Sequence, residues 1–138
     1  MLKVVELKNM KRLCLVLLLL CSTLSAARLN TEAYYQRIAA EKYSGETEVS
    51  MPDGTRCDIV TETHAIEVDW NSKWGESIGQ SLNYAFQTGK RAGIILIADT
   101  PNDLKEAIRV NSIIRHYELP ITLWVIDKET EELKPFSD

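Results

Sequence analysis

Thr55-Arg56-Cys57-Asp58-Ile59-Val60-Thr61-Glu62-Thr63-His64-Ala65-Ile66-Glu67-Val68-Asp69-Trp70 holds two short apolar runs, 55–61 and 64–70, that read as neighbouring β-strands carrying three acids. Asp and Glu are depleted in strands, so their presence calls for a reason. Side chains alternate faces along a strand, which puts Glu67 and Asp69 on one face with Ala65, and Ile66, Val68 and Trp70 on the other. Glu62-Thr63 makes a short turn, and the resulting hairpin brings Asp58 beside the other two acids. Same-face neighbours lie about 7 Å apart and paired strands about 4.8 Å apart, so three carboxylates can converge on one point. Such a cluster repels itself. Either it is the solvated face of an amphipathic strand, or a hard divalent cation neutralises it.

Working outward, Tyr34, Tyr35, Ile38, Ala39 and Tyr43 recur at three- and four-residue spacing, which predicts a helix over 31–43 with Asn30 or Thr31 as cap. Residues 46–51 alternate weakly and meet the turn signal Pro52-Asp53-Gly54, so they form a hairpin with the strand holding Asp58. After Trp70, with Asn71 or Ser72 as cap, Trp74, Ile78, Leu82, Tyr84, Ala85 and Phe86 make the apolar stripe of a helix ending before Gly89. Residues 93–98 are a continuous apolar run, the mark of a strand covered on both faces. Thr100 and Pro101 then start a helix running to about His116, and 121–126 is a last buried strand. The acidic tail 127–138 lacks periodicity and reads as a turn and a frayed end. The order αβββαβαβ implies an α/β domain with a mixed five-stranded sheet and helices on both faces.

Lys8, Lys11 and Arg12 precede an apolar stretch from Leu13 to Cys21, with Ser25 and Ala27 at small-residue cleavage positions. Residues 1–27 therefore read as a signal peptide, with Met10 as a possible start, and the expected product is a single secreted or periplasmic domain over 28–138. An N-terminal core helix is the alternative. Nine apolar residues are too short for a stable membrane span, which needs about 20. The whole chain carries 16 basic and 20 acidic side chains among 138 residues; without the leader 12 and 19 remain, a net of −7. A nucleic-acid ligand would therefore require a local basic patch. Cys57 is the one cysteine outside the leader, which excludes an internal disulfide in that form and favours a buried apolar role. His64 and His116 lack metal-ligand spacing, and Trp70 and Trp74 read as core packing.

An Asp on one strand, a short turn, Glu-x-Asp on the next, then a helix and a buried strand resembles the PD-(D/E)xK restriction-endonuclease-like nuclease superfamily. Asp58 matches its metal-binding Asp and Glu67 the first acid of its (D/E)xK element. Gln80 and Tyr84 match the Gln-x-x-x-Tyr helix found in RecB-type exonucleases, and Glu41 is similar in position to the helical acid that completes the site. The resemblance covers about residues 31–126. It implies a restriction-endonuclease-like core that hydrolyses phosphodiesters in nucleic acid, with Mg²⁺ or Mn²⁺ held by Asp58, Glu67 and Glu41 beside the Val68 carbonyl. Gln80 and Tyr84 would contact nucleic acid or orient the acids, and a homodimer or a protein partner would be in keeping with such domains. The motif Lys is replaced by Asp69. Three outcomes stay open: Lys73 supplies the ammonium from the helix start, Asp69 acts as base or ligand, or catalysis is lost and the domain is a binding module. An acidic cation-binding α/β domain outside this superfamily is the remaining alternative.

Overall fold

A computed structural model of the chain describes residues 31–100 and 104–137. The leader-like residues 1–27, Met10, Asn30 and Pro101 lie outside them. Three helices, α1 (Glu32–Tyr43), α2 (Trp74–Thr88) and α3 (Lys105–His116), accompany six strands: β1 (Glu46–Ser50), β2 (Arg56–Val60), β3 (His64–Trp70), β4 (Arg91–Ala98), β5 (Ile121–Asp127) and β6 (Leu133–Pro135). The strands form one mixed α/β sheet in chain order. β1, β2 and β3 pair antiparallel, β3, β4 and β5 parallel, and β6 returns antiparallel to β5.

Two layers cover the sheet. On one face Ile59, Ile66, Val68, Ile95, Ile97, Trp124 and Ile126 pack against Tyr35, Ala39 and Ala40 of α1. On the other, Ile94, Leu96, Leu123 and their neighbours pack against α3 and the Trp74, Ile78, Leu82 and Ala85 stripe of α2. β4 is buried from Ala92 to Ala98 because both layers cover it, as its unbroken apolar run requires. Gly93 makes room for side chains of the flanking strands in the α1 layer: a Cβ there would stand 2.9 Å from both the Ile66 and Trp124 side chains.

Four expectations are corrected. The sheet has six strands rather than five, because Asp127 accepts the amides of Glu129 and Thr130 at 2.9 and 2.7 Å and Glu131 adopts φ 59°, turning the acidic tail back along β5. Leu133, the one aliphatic side chain of that tail, is then 3% exposed in the α1 layer. Thr100 does not cap α3, whose first residue is Lys105 after Leu104. Neither Asn71 nor Ser72 caps α2; Asn71–Lys73 form a 3-10 turn and α2 follows without a side-chain cap. Phe86 leaves the apolar stripe and is 87% exposed. Among the described residues no helix is long and apolar enough to cross a membrane.

Candidate functional site

The face of β3 that carries Ala65, Glu67 and Asp69 lies beneath α2. There the helix presents Ser77, Ser81 and Tyr84, all buried. Two serines without exposed surface let the helix axis come close to the strand, and the approach removes the carboxylates from solvent. Glu67 is 6% exposed and Asp69 3%.

Asp58 arrives from β2 by a local roll of the hairpin. Cys57 packs with Ala65 and Tyr84 in the α2 layer, yet Ile59, two residues on, packs in the α1 layer. The strand must turn over between them, and Glu48, across from Asp58 in register, absorbs the turn at φ 58°. The β2–β3 ladder pairs Ile59 with Ile66 and Val60 with Ala65. Beyond that point the Asp58 carboxylate takes over, its Oδ2 accepting the Val68 amide at 2.8 Å.

Asp69 is held by three donors. Its Oδ1 accepts the Trp70 amide at 3.1 Å and lies 3.1 Å from the Lys73 ammonium, while the Ser77 hydroxyl stands 3.5 Å from Oδ2. Lys73 extends from the 3-10 turn, half-exposed, and its ammonium also lies 3.7 Å from Glu32. Its pKa is raised by the bond to Asp69 and by the charges of Asp69 and Glu32. The open side of the cluster is therefore at the carboxyl end of β3, between the first turn of α1 and the start of α2.

Burial pushes the Glu67 carboxyl up to about 9, with the charges of Asp58, Asp69 and Glu32 adding to the effect and Lys73 opposing it. Asp58 rises to about 7, also through burial, partly offset by the Val68 amide. Glu32 rises through burial and the nearby Asp69. With one ammonium beside them the buried carboxyls resist ionising together, and Glu67 holds its proton at neutral pH. Even uncharged, Glu67 keeps an unmet need, since Oε2 is buried without a hydrogen-bond partner.

Asp58, Glu67, Asp69 and Lys73 thus lie near one another, Asp58 by the roll of β2 rather than by strict alternation. Glu41 does not join them. It is exposed, nine residues along α1 from Glu32, a rise of about 13 Å, and Glu32 is the helical acid that lies beside Asp69 and Lys73. Glu32 sits in the first turn of its helix, close to the end of β3, a position that periodicity alone does not relate to a strand. Tyr84 is 4% exposed, which removes it from contact with a ligand on the surface. Its hydroxyl bonds Gln80, and its pKa, raised to about 12 by burial and by Glu67 and Asp58, records how near the phenol stands to the acids. Gln80 itself is exposed. Cys57 is fully buried, its thiol pushed up to about 12 by burial, and fills core space.

Three surface depressions lie elsewhere: about 270 Å³ beyond the ends of β4 and β5 near Leu104 and Phe136, about 310 Å³ beside Tyr43, His64 and Trp124, and an open groove of about 570 Å³ along α3. None is lined by Asp58, Glu67 or Asp69. The chemistry of the carboxylates outweighs cavity size here, because titratable groups perturbed by each other and by burial mark functional sites.

Among the described residues, no group of three or more His, Cys, Asp and Glu side chains is arranged to hold a metal ion. A Mg²⁺ ion needs fewer protein ligands than that, since it keeps several waters and binds through one or two carboxylates together with substrate phosphates. The Glu67 oxygen without a partner, beside a second raised carboxyl on Asp58, fits such a cation in charge and in donor type. The chain matches no family model, no curated protein and no solved structure.

Proposed function

We propose that the chain is a metal-dependent nuclease with a restriction-endonuclease-like core, hydrolysing phosphodiester bonds in nucleic acid. The observation that carries this reading is the buried Glu67, its Oε2 unpartnered, set against Asp58 with Lys73 reaching over the same strand end. Asp58 and Glu67, with the Val68 carbonyl, would hold Mg²⁺ or Mn²⁺. When bound, the ion supplies a Lewis acid for the phosphate and lowers the pKa of a water.

The protein's own groups divide the remaining work. Lys73 is the cation positioned to stabilise charge that develops on the phosphate, since its ammonium sits at the open side of the cluster. Asp69 gives its carboxylate to that ammonium and to the Trp70 amide, so its part is to position Lys73 rather than to take a proton. Glu32 holds the ammonium from the other side. Tyr84 fixes the layer above Ala65 and Glu67, and Gln80 anchors Tyr84. The leader-like residues 1–27 put this activity outside the cytoplasm, and N-terminal sequencing of secreted protein beginning at or near Arg28 tests that part.

Incubating the protein with linear, nicked and single-stranded DNA and with RNA, in Mg²⁺, Mn²⁺ or EDTA, tests the reading. Cleavage that needs the metal and disappears in Asp58→Ala and Glu67→Ala supports it. Absence of cleavage on every substrate, together with no shift of the melting temperature by Mn²⁺, overturns it. A second reading, a nuclease-fold binding module without catalysis, draws on Asp69 standing where the superfamily's Lys is expected. It is distinguished by a Mn²⁺ shift without cleavage.

A further inference from the structure

We propose that the outer face of α3 is the surface that takes a nucleic-acid strand. This deepens the nucleic-acid reading above and rests on it. Lys105, Arg109, Ser112 and His116 recur at i, i+4, i+7 and i+11, which places them on one side of the helix, opposite the buried Ala107, Val110 and Ile114. All four are exposed, and they line the open groove with Ile108, Ile113 and Tyr117. Ile108 is 51% exposed and Tyr117 67%, so the face combines cations with unburied apolar and aromatic surface.

Charge complementarity names the occupant. Outside the leader the chain carries a net of −7, yet no acid lines this groove. Cations track a phosphate backbone, and exposed aromatic rings offer stacking platforms for unpaired bases. Tyr117 meets the His116 ring edge to face at 4.7 Å, giving a two-ring platform at the end of the basic row. The row also leads to the carboxylates. The Arg109 guanidinium lies 5.2 Å from the Trp74 ring centroid, and Trp74 follows Lys73, whose ammonium touches Asp69. A strand laid along α3 therefore reaches the open side of the candidate site. The aromatic platform favours a single strand over a duplex.

Fluorescence anisotropy of labelled 20-mers, single-stranded DNA, single-stranded RNA and duplex DNA, titrated with the full chain in EDTA and low salt, tests the surface without cleavage. Lys105→Glu with Arg109→Glu should weaken single-strand binding at least tenfold. The dependence of log K on log salt should flatten by about 1.4, two contacts at about 0.7 each. Lys134→Glu, half that charge change at an exposed position of β6, should leave affinity within twofold. The melting shift with Mn²⁺ reports the carboxylate site separately and confirms that the α3 variant is folded. An intact Mn²⁺ shift without oligonucleotide binding overturns the surface while sparing the metal site. Equal weakening by Lys134→Glu also overturns it, and tighter binding of duplex overturns the single-strand preference.

Discussion

Glu67→Gln isolates the buried carboxyl. The Glu67 carboxyl has an ordinary value of 4.5 and is raised to about 9 in the fold. Between those values the native protein holds a proton that the unfolded chain has lost, so νN exceeds νU and the slope of unfolding free energy with pH is negative. The stability that Glu67 contributes in EDTA is therefore fully present below about pH 4.5 and is lost as pH rises toward 9. Asp58, raised from 3.8 to about 7, acts in the same sense over the lower part of that range. One proton is worth about 1.4 kcal/mol per pH unit, so Glu67 sets a ceiling of about 4 kcal/mol between pH 5.5 and 8.5. With a urea m-value of about 1–3 kcal/mol per M, that ceiling corresponds to a fall of up to about 1–4 M in the wild-type midpoint across that range. Trp70, Trp74 and Trp124 supply the fluorescence signal. The amide of the Gln variant does not titrate, so its profile should be flatter, and above pH 8 in EDTA it should be the more stable protein. Mn²⁺ competes with the same proton, so its stabilisation of the wild type should grow with pH and be weakened in the Gln variant. Parallel pH profiles for the two proteins in EDTA would refute the assignment of a proton to Glu67.

Lys73→Ala should reduce cleavage at least a hundredfold in a steady-state assay while changing stability by only about 0–1 kcal/mol, because the ion pair is half-exposed; unchanged turnover removes the ammonium from the mechanism. Glu32→Gln should lower activity and the Mn²⁺ melting shift, whereas Glu41→Gln should alter neither, and the opposite ranking would restore Glu41 to the site. Gly93→Ala should cost about 1–3 kcal/mol in urea unfolding, since its Cβ would meet Ile66 and Trp124 at 2.9 Å. Leu133→Ala should cost about 2–4 kcal/mol by removing a buried side chain of β6, and a neutral result would show that the tail strand contributes nothing to the core.

Much of this architecture is legible in the residues themselves. The unbroken apolar run at 93–98 reads as a doubly covered strand because burial on both faces leaves no place for alternation, and 121–126 reads as a buried strand beside it. Glu67 and Asp69 share a face by the two-residue repeat alone. What escaped depended on tertiary approach. Leu133 is one apolar residue among acids, and only the Asp127 turn brings it to the sheet. Ser77 and Ser81 look like surface residues by type, although their value is to let α2 come near β3. Asp58 reaches the cluster through a roll at Glu48, and a strict alternation from Ile59 gives no hint of it. Glu32 and Glu41 lie on the same helix, and no periodic rule states which end faces the strand.

Under the proposed nuclease reading, Asp69 standing where a Lys is expected becomes intelligible as a relay. A strand Lys two residues after Glu67 would project from the same face beneath α2, where Ser77, Ser81 and Tyr84 leave little room for a long side chain. Asp69 is short and fits there, and its charge is balanced by an ammonium that enters from the 3-10 turn instead. The cation thus sits beside the strand end from a half-exposed stem, its place fixed by Asp69 on one side and Glu32 on the other. Lys73 in this arrangement has two carboxylates holding it, and their negative charge raises its pKa, which keeps it protonated and suits it to stabilise an anion rather than to accept a proton. An acid at position 69 and a lysine four residues later are therefore one device, and neither residue is informative about catalysis when judged alone.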